Sequence, residues 1–119
     1  MSRNLLKSQR SDCPIASALD VVGDKWTLLL IRDIGLFGKH RNKEFQEAGE
    51  GIPSNILANR LKQLVEQGLL EKRLYRERPP RYEYHLTRAG KGLLPVVRAM
   101  ARWGTGNIRG VRIPEKLRK

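Results

Sequence analysis

The chain has 119 residues, enough for one globular domain and little more. Lysine and arginine number 24 against 12 acidic residues, a formal charge of +12 whose field favours a polyanion or an anionic membrane surface as partner. A single cysteine, Cys13, excludes an intramolecular disulfide framework, no apolar run reaches the roughly 18 to 20 residues of a membrane span, and Met1-Ser2-Arg3-Asn4 leads into no signal-peptide core, so a reducing, cytoplasmic setting is expected.

Cys13-Pro14 opens a first helix that runs through Ala16, Leu19 and Val22 to Gly23, with proline acceptable in the first turn and glycine at the end. Gly23-Asp24 breaks it. Residues 25 to 36 are apolar around most of a helical circumference, the pattern of a core helix, and Gly38 closes that segment. Residues 42 to 48 form a short helix with Asn42 as its expected N-cap and Phe45 as its inward anchor, followed by the turn Gly49-Glu50-Gly51.

A longer helix begins at Pro53 or Ser54 and stops at Gly68, where a left-handed residue is commonly needed. At 3.6 residues per turn, Leu57, Leu61, Leu64 and Val65 share one face with Ile56 at its edge, and Asn55, Asn59, Lys62 and Glu66 lie opposite. Two alternating segments follow, Leu69 to Glu77 and Arg81 to Thr87, separated by Arg78-Pro79-Pro80; period-two alternation predicts half-buried strands. The prolines stiffen the tip and remove two backbone donors, so the hairpin projects there rather than pairing further. Thr87 is the expected cap of a last helix in which Leu93, Leu94, Val97, Met100, Ala101 and Gly104 recur at three- and four-residue spacing, with Pro95 either bending it or sitting near its start.

Charge is unevenly distributed along this plan. Residues 71 to 81 carry Lys72, Arg73, Arg76, Arg78 and Arg81 against Glu71 and Glu77, and residues 109 to 119 carry Arg109, Arg112, Lys116, Arg118 and Lys119 against Glu115. Asp12, Asp20, Asp24 and Asp33 outnumber Lys25 and Arg32 in residues 12 to 33, which are therefore expected to face away from a polyanion.

The fold class that follows is α+β and mainly helical: a winged helix-turn-helix with a two-stranded wing and additional N- and C-terminal helices. Asparagine and glutamine read adenine by paired hydrogen bonds in the major groove, and lysine reaches guanine or phosphate, so the polar helix face suits double-stranded DNA. Arg76, Arg78 and Arg81 around a stiff tip suit phosphates or a narrow minor groove. A winged helix is expected to need little of the last helix for its own core, which leaves Leu93, Leu94, Val97, Met100 and Ala101 as a predicted homodimer interface together with the first helix. The same fold also serves RNA binding and protein docking, and sequence-specific duplex binding separates these from the DNA reading.

Enzyme chemistry finds no support in the motifs. His40 and His85 have no partner at metal-ligand spacing, there is no phosphate-binding glycine fingerprint, and no nucleophile sits in a recognisable setting, so neither a cofactor nor a metal is expected.

Cys13-Pro14, the turn Gly23-Asp24-Lys25-Trp26-Thr27, Arg41 to Phe45, Gly51-Ile52, Leu57-Ala58-Asn59-Arg60-Leu61, Glu66-Gln67-Gly68-Leu69, Pro79-Pro80-Arg81-Tyr82-Glu83-Tyr84, Leu86-Thr87-Arg88-Ala89-Gly90 and Ala101-Arg102-Trp103-Gly104 together resemble the HxlR-type family of bacterial transcriptional regulators. The resemblance covers about residues 13 to 104 of a single domain, with 109 to 119 as a basic tail. It implies a homodimeric winged helix-turn-helix protein, distantly similar to the MarR group, that binds a near-palindromic operator, most simply as a repressor. It marks Ser54 to Gln63 as the recognition segment, with Ser54, Asn55, Ala58, Asn59, Arg60, Lys62 and Gln63 as DNA-facing residues, and Arg76 to Arg81 as the wing.

Some members of that family sense electrophiles or oxidants at the cysteine in the position of Cys13, so a small-molecule or oxidant effector enters as an expectation. A helix N-terminus favours the thiolate, neighbouring Asp12 opposes it, and the competing reading is a small packing residue. With no second cysteine, oxidative coupling has to be intermolecular or take the form of an adduct.

Overall fold

The computed structural model describes residues 11–117; residues 1–10, among them Met1-Ser2-Arg3-Asn4, and Arg118 and Lys119 of the basic tail lie outside them. Six helices and one hairpin follow in the order α1 (Pro14–Val22), α2 (Thr27–Gly35), α3 (Asn42–Gln46), α4 (Ser54–Glu66), β1 (Leu70–Glu77), β2 (Pro80–Leu86), α5 (Arg88–Lys91) and α6 (Leu94–Asn107), closed by a 3-10 turn at Glu115–Leu117.

The centre of the molecule is α2, which buries Leu30, Ile31 and Ile34 and packs against α6, β2 and α5. It starts at Thr27 rather than at residue 25 because the Asp24 carboxylate accepts the amides of Trp26 (2.9 Å) and Thr27 (3.0 Å) and the Thr27 hydroxyl, occupying helix-end donors that have no intrahelical partner. From the other end of α2, the Arg32 guanidinium donates to Asp33 (2.7 Å) and to Glu50 (2.9 Å) in the turn between α3 and α4. Asp33 is buried, and burial raises its carboxyl pKa against the opposing pull of Arg32. The Arg32 bond instead holds Glu50 below the usual range, burial opposing it less.

Phe45 anchors α3 in the core as expected, but Asn42 is the first helical residue and not the cap. Arg41 is the N-cap, and the Glu44 carboxylate at the third helical position reaches back to the amides of His40 (2.8 Å) and Arg41 (3.1 Å). The back of α4 is locked down: Leu57, Leu61 and Leu64 are essentially inaccessible, and the helix packs on β1 and α3. Its C-terminus is a Schellman turn in which Gly68, at φ +79, donates to Val65 and Leu69 donates to Leu64, with buried Leu69 as the apolar contact. Thr87 ties the far side of the hairpin to the same turn, donating to the Gly68 carbonyl (2.6 Å) and capping the Gly90 amide (3.1 Å). A Cβ at Gly90 would stand 2.2 Å from the Leu69 carbonyl oxygen, which explains a glycine in the Leu86-Thr87-Arg88-Ala89-Gly90 motif.

The hairpin pairs Leu70 with Leu86 and Glu77 with Pro80, with a bulge at Tyr75. Two expectations are corrected here. Beyond Leu70, all of β1 is exposed, and Leu74, Tyr75 and Tyr82 are each 41% exposed or more, so the strands are half-buried only at their root: the hairpin extends past the helices, and nothing among the described residues covers it. Pro80 also pairs, because a missing amide is tolerated at the first residue of a strand, which leaves Arg78-Pro79 as the turn. The Tyr84 amide donates to the His40 carbonyl (2.8 Å), a short third pairing that fastens the wing root to the segment preceding α3.

The last helix is divided. Thr87 caps α5 alone, the chain breaks at Gly92-Leu93, and Pro95 lies in the first turn of α6, where its missing amide costs nothing. The expected dimer stripe is also corrected: Val97 belongs to the core, and Leu93, Leu94 and Ala101 pack against it on α2, leaving only Met100 exposed. A different face of α6 carries the outward apolar row, Val96, Met100 and Trp103, at four- and three-residue spacing. Leu117 in the basic tail is buried beside Val97 and Ala101, so the tail folds back on α6 before its last residues. Among the described residues no helix is long and apolar enough to cross a membrane.

Candidate nucleic-acid interface

The polar face of α4 stands clear of the body. Ser54, Asn55, Ala58, Asn59, Lys62 and Gln63 are all exposed, on a helix whose opposite side is fixed in the core. One expected contact is different. Arg60 is half-buried and turned toward its own chain: its Nε donates to Asp24 (3.0 Å) and its Nη1 to the side-chain carbonyls of Asn59 (2.8 Å) and Gln63 (3.3 Å). These bonds give Arg60 a positioning role within its own chain. It links α4 to the cap of α2 and orients two amides so that their NH2 groups remain free to donate.

Asp24 is the other half of that link and lies against the recognition segment rather than away from it, contrary to the charge-based expectation for residues 12 to 33. Burial raises its carboxyl pKa, but hydrogen bonds from Thr27, Trp26 and Arg60 outweigh this and hold it below the ordinary value.

Arg76, Arg78 and Arg81 are exposed around the wing tip, and Arg76 lies directly opposite Arg81 in the ladder. Like charges across a strand pair destabilise a hairpin, and an anion between them would relieve that repulsion. Lys72 adds its ammonium 4.3 Å from the Tyr82 ring.

The sequence reading missed a second basic element. Arg41 lies 3.9 Å from the Tyr75 ring and donates to Glu83 (3.1 Å), bracing the wing against the start of α3. The Arg41 contact and that of His85 lower the Glu83 pKa, the His85 bond being the larger cause. Arg41, Lys43, Tyr75, Arg81 and Tyr82 line a groove of about 500 Å³ between α3 and the wing. The signal in the sequence is Arg41-Asn42-Lys43, two cations at a helix start within the Arg41 to Phe45 motif.

Cys13 is exposed and sits at the N-cap of α1, where its amide donates to Ser11 (3.0 Å) and its carbonyl accepts from Ser17 (3.0 Å). The helix it begins buries none of its nine residues: Ile15 is 71% and Leu19 52% exposed. An apolar groove of about 570 Å³ runs between α1 and α6, with Leu19, Leu28, Val96 and Met100 in its walls. No group of three or more metal-ligating side chains occurs among the described residues.

A three-helix core with its third helix polar outward and a basic hairpin after it is a winged helix-turn-helix, and the model of the HxlR-like helix-turn-helix family matches residues 21–111. The chain belongs to that family. It is a transcriptional regulator of the HxlR type, and membership implies DNA binding. It is 35% identical over 98 residues to YybR of Bacillus subtilis strain 168, an HTH-type transcriptional regulator, covering 82% of this chain and 78% of that one. Among solved structures, a protein grouped with the MarR family from Porphyromonas gingivalis W83 is similar at a TM-score of 0.73 and 35% identity, over 87% of this chain and all of that one. The redox regulator HypR in its reduced form is similar at a TM-score of 0.72 and 32% identity, over 82% of this chain and 95% of that one.

Proposed function

We propose that this HxlR-type regulator binds duplex DNA as a homodimer, inserting α4 of each protomer into successive major grooves of a near-palindromic operator and acting as a repressor. The observation that carries this reading is the pairing of a core-locked helix, exposing Asn55, Asn59, Lys62 and Gln63, with a projecting wing that sets Arg76 opposite Arg81. Asn59 and Gln63 are the base-reading residues, Lys62 a guanine or phosphate contact, and Arg76, Arg78 and Arg81 phosphate contacts with Arg41 and Lys43 beside them. An RNA-binding or docking role has no specific observation in its favour.

Homodimerisation is supported by α1, since a nine-residue helix without buried residues is marginal alone and needs an apolar partner surface. Ile15 and Leu19 of α1 with Val96, Met100 and Trp103 of α6 form that surface. Selection of bound duplexes from a random library tests the whole reading. Enrichment of an inverted repeat with half-site centres about 10 base pairs or a multiple apart is expected; enrichment of an asymmetric site, or none, would sink it.

Cys13, exposed beside the proposed interface, is the candidate sensor, an assignment supported by the likeness to a redox regulator. A quinone or aldehyde is expected to add to Cys13 and lower operator affinity, with Cys13→Ser binding DNA normally and ignoring the reagent. Intact mass and an operator titration, before and after treatment, decide it; adduct formation without an affinity change removes the sensor role.

A further inference from the structure

Between the C-terminal end of α2 and the root of the wing lies a cavity of about 430 Å³, within the size range of small-ligand sites, and none of its walls comes from α4. Its floor is apolar. Leu86 and Leu94 close over Gly35, where a Cβ would stand 2.8 Å from Leu86 Cδ1 and 2.6 Å from Leu94 Cδ2.

The polar part of the lining is entirely basic or imidazole: Arg73 from β1, Lys91 from α5, His40 from the segment before α3 and His85 from β2, with no carboxylate among the lining residues. His40 and His85 are the chain's two histidines, and their rings stack at 4.3 Å with an interplanar angle of 19°. Each ring is anchored through one nitrogen, His40 Nδ1 donating to the Tyr84 carbonyl (3.0 Å) and His85 Nε2 to the Glu83 carboxylate (3.1 Å). The Lys91 ammonium makes no ion pair or hydrogen bond among the described residues, and Arg73 is held only by exposed Glu71 (2.8 Å). Lys91, without a partner among the described residues, and Arg73, paired only at an exposed carboxylate, thus border an apolar floor with no acid in the wall.

We infer that this cavity binds a small organic anion, a carboxylate or phosphate monoester carried on an aromatic or apolar body. The charged head lies between Lys91 and Arg73, whose fork donates bidentately to either group, and the body covers Leu86, Leu94 and the imidazole pair. A DNA phosphate is the competing occupant, and the floor argues against it, because a phosphodiester brings no apolar surface to cover those leucines. The site does not depend on operator reading by α4.

With only two histidines, the imidazole C–H resonances of the full chain report on the cavity directly. Benzoate, phenyl phosphate, benzamide, inorganic phosphate and a short DNA duplex are added in separate titrations. Saturable movement of both histidine signals with benzoate or phenyl phosphate is expected, whichever binds identifying the head group. Benzamide is expected to leave them in place and inorganic phosphate to bind at least about tenfold more weakly, while Lys91→Gln, on the exposed side of α5, weakens aryl-anion binding about tenfold. The inference is overturned if neither aryl anion gives a saturable shift, if benzamide or inorganic phosphate does as well, or if Lys91→Gln changes nothing. Movement with the duplex but not with the aryl anions would make the cavity a phosphate contact instead.

Discussion

The recognition helix and the wing are adjacent in sequence but are held in opposite ways. Every apolar side chain on the inner face of α4 is packed, and its polar face is oriented from behind by Arg60, which ties Asn59 and Gln63 to Asp24 at the start of α2. The wing is fastened mainly toward its root, by buried Leu70 and Leu86, the His40–Tyr84 backbone bond and the Arg41–Glu83 ion pair, with Arg41 against the Tyr75 ring as a brace further out, and β1 is exposed from Glu71 onward. Base reading needs side chains placed to a fraction of an ångström, which a core supplies; phosphate binding needs only charge within reach, which a projecting hairpin supplies.

The contrast is broken most severely through the core. Leu61→Ala empties a fully packed site on the back of α4 and is expected to cost about 2 to 5 kcal/mol of stability, whereas Leu74→Ala in the wing is expected to cost about 0.5 kcal/mol or less. Urea unfolding of the two variants checks the difference, and equal losses would mean that the wing is as integral to the fold as α4.

A smaller effect separates the two faces of α6. Met100→Glu and Trp103→Glu alter side chains that are more than half exposed, so each is expected to leave the protomer folded while shifting sedimentation from dimer to monomer at micromolar concentration. Val97→Glu, in the core, is expected to unfold the protomer itself. A wild-type monomer at that concentration would remove the proposed interface.

In the wing, Arg78→Ala with Arg81→Ala is expected to weaken operator and scrambled duplex alike and to flatten the dependence of log K on log salt by about 0.9 for each phosphate contact removed. An unchanged slope would place both arginines in solvent.

The smallest expected effect concerns acid. Glu50 is held below its ordinary value of 4.5 by Arg32, so the stability it contributes is present above that pH and is lost as pH falls through its folded value. Asp33, raised by burial, acts in the opposite sense. Thermal melts between pH 6 and pH 3 are expected to fall less steeply for Glu50→Gln than for the wild type, and parallel curves would show that the turn is not anchored by this pair.

Most of the fold was legible because the signals are local. The leucine spacing of α4 and its Gly68 stop describe the helix, and Arg78-Pro79-Pro80 marks the turn between two strands to within the one residue, Pro80, that pairs. What stayed hidden depends on partners distant in sequence. An apolar stripe such as Leu93, Leu94, Val97 and Ala101 shows that a helix packs on something; only the fold shows that this is α2 of the same chain and that Val96, Met100 and Trp103 face out. Alternation in the wing likewise says strand without saying what covers it. Arg60 reads as one more cation on a helix face until Asp24, 36 residues away, is found beside it, and Arg41 acquires its place only when the hairpin returns to meet it.

Asn59 carries the central claim that α4 reads bases, and its alanine variant tests that claim most directly. Asn59→Ala is titrated with the selected operator and with a scrambled duplex of the same length at fixed salt. Loss of about 1 to 3 kcal/mol on the operator is expected, with relaxed preference at one base position and little change on the scrambled duplex. Equal loss on both would contradict the account and leave Asn59 as a backbone contact.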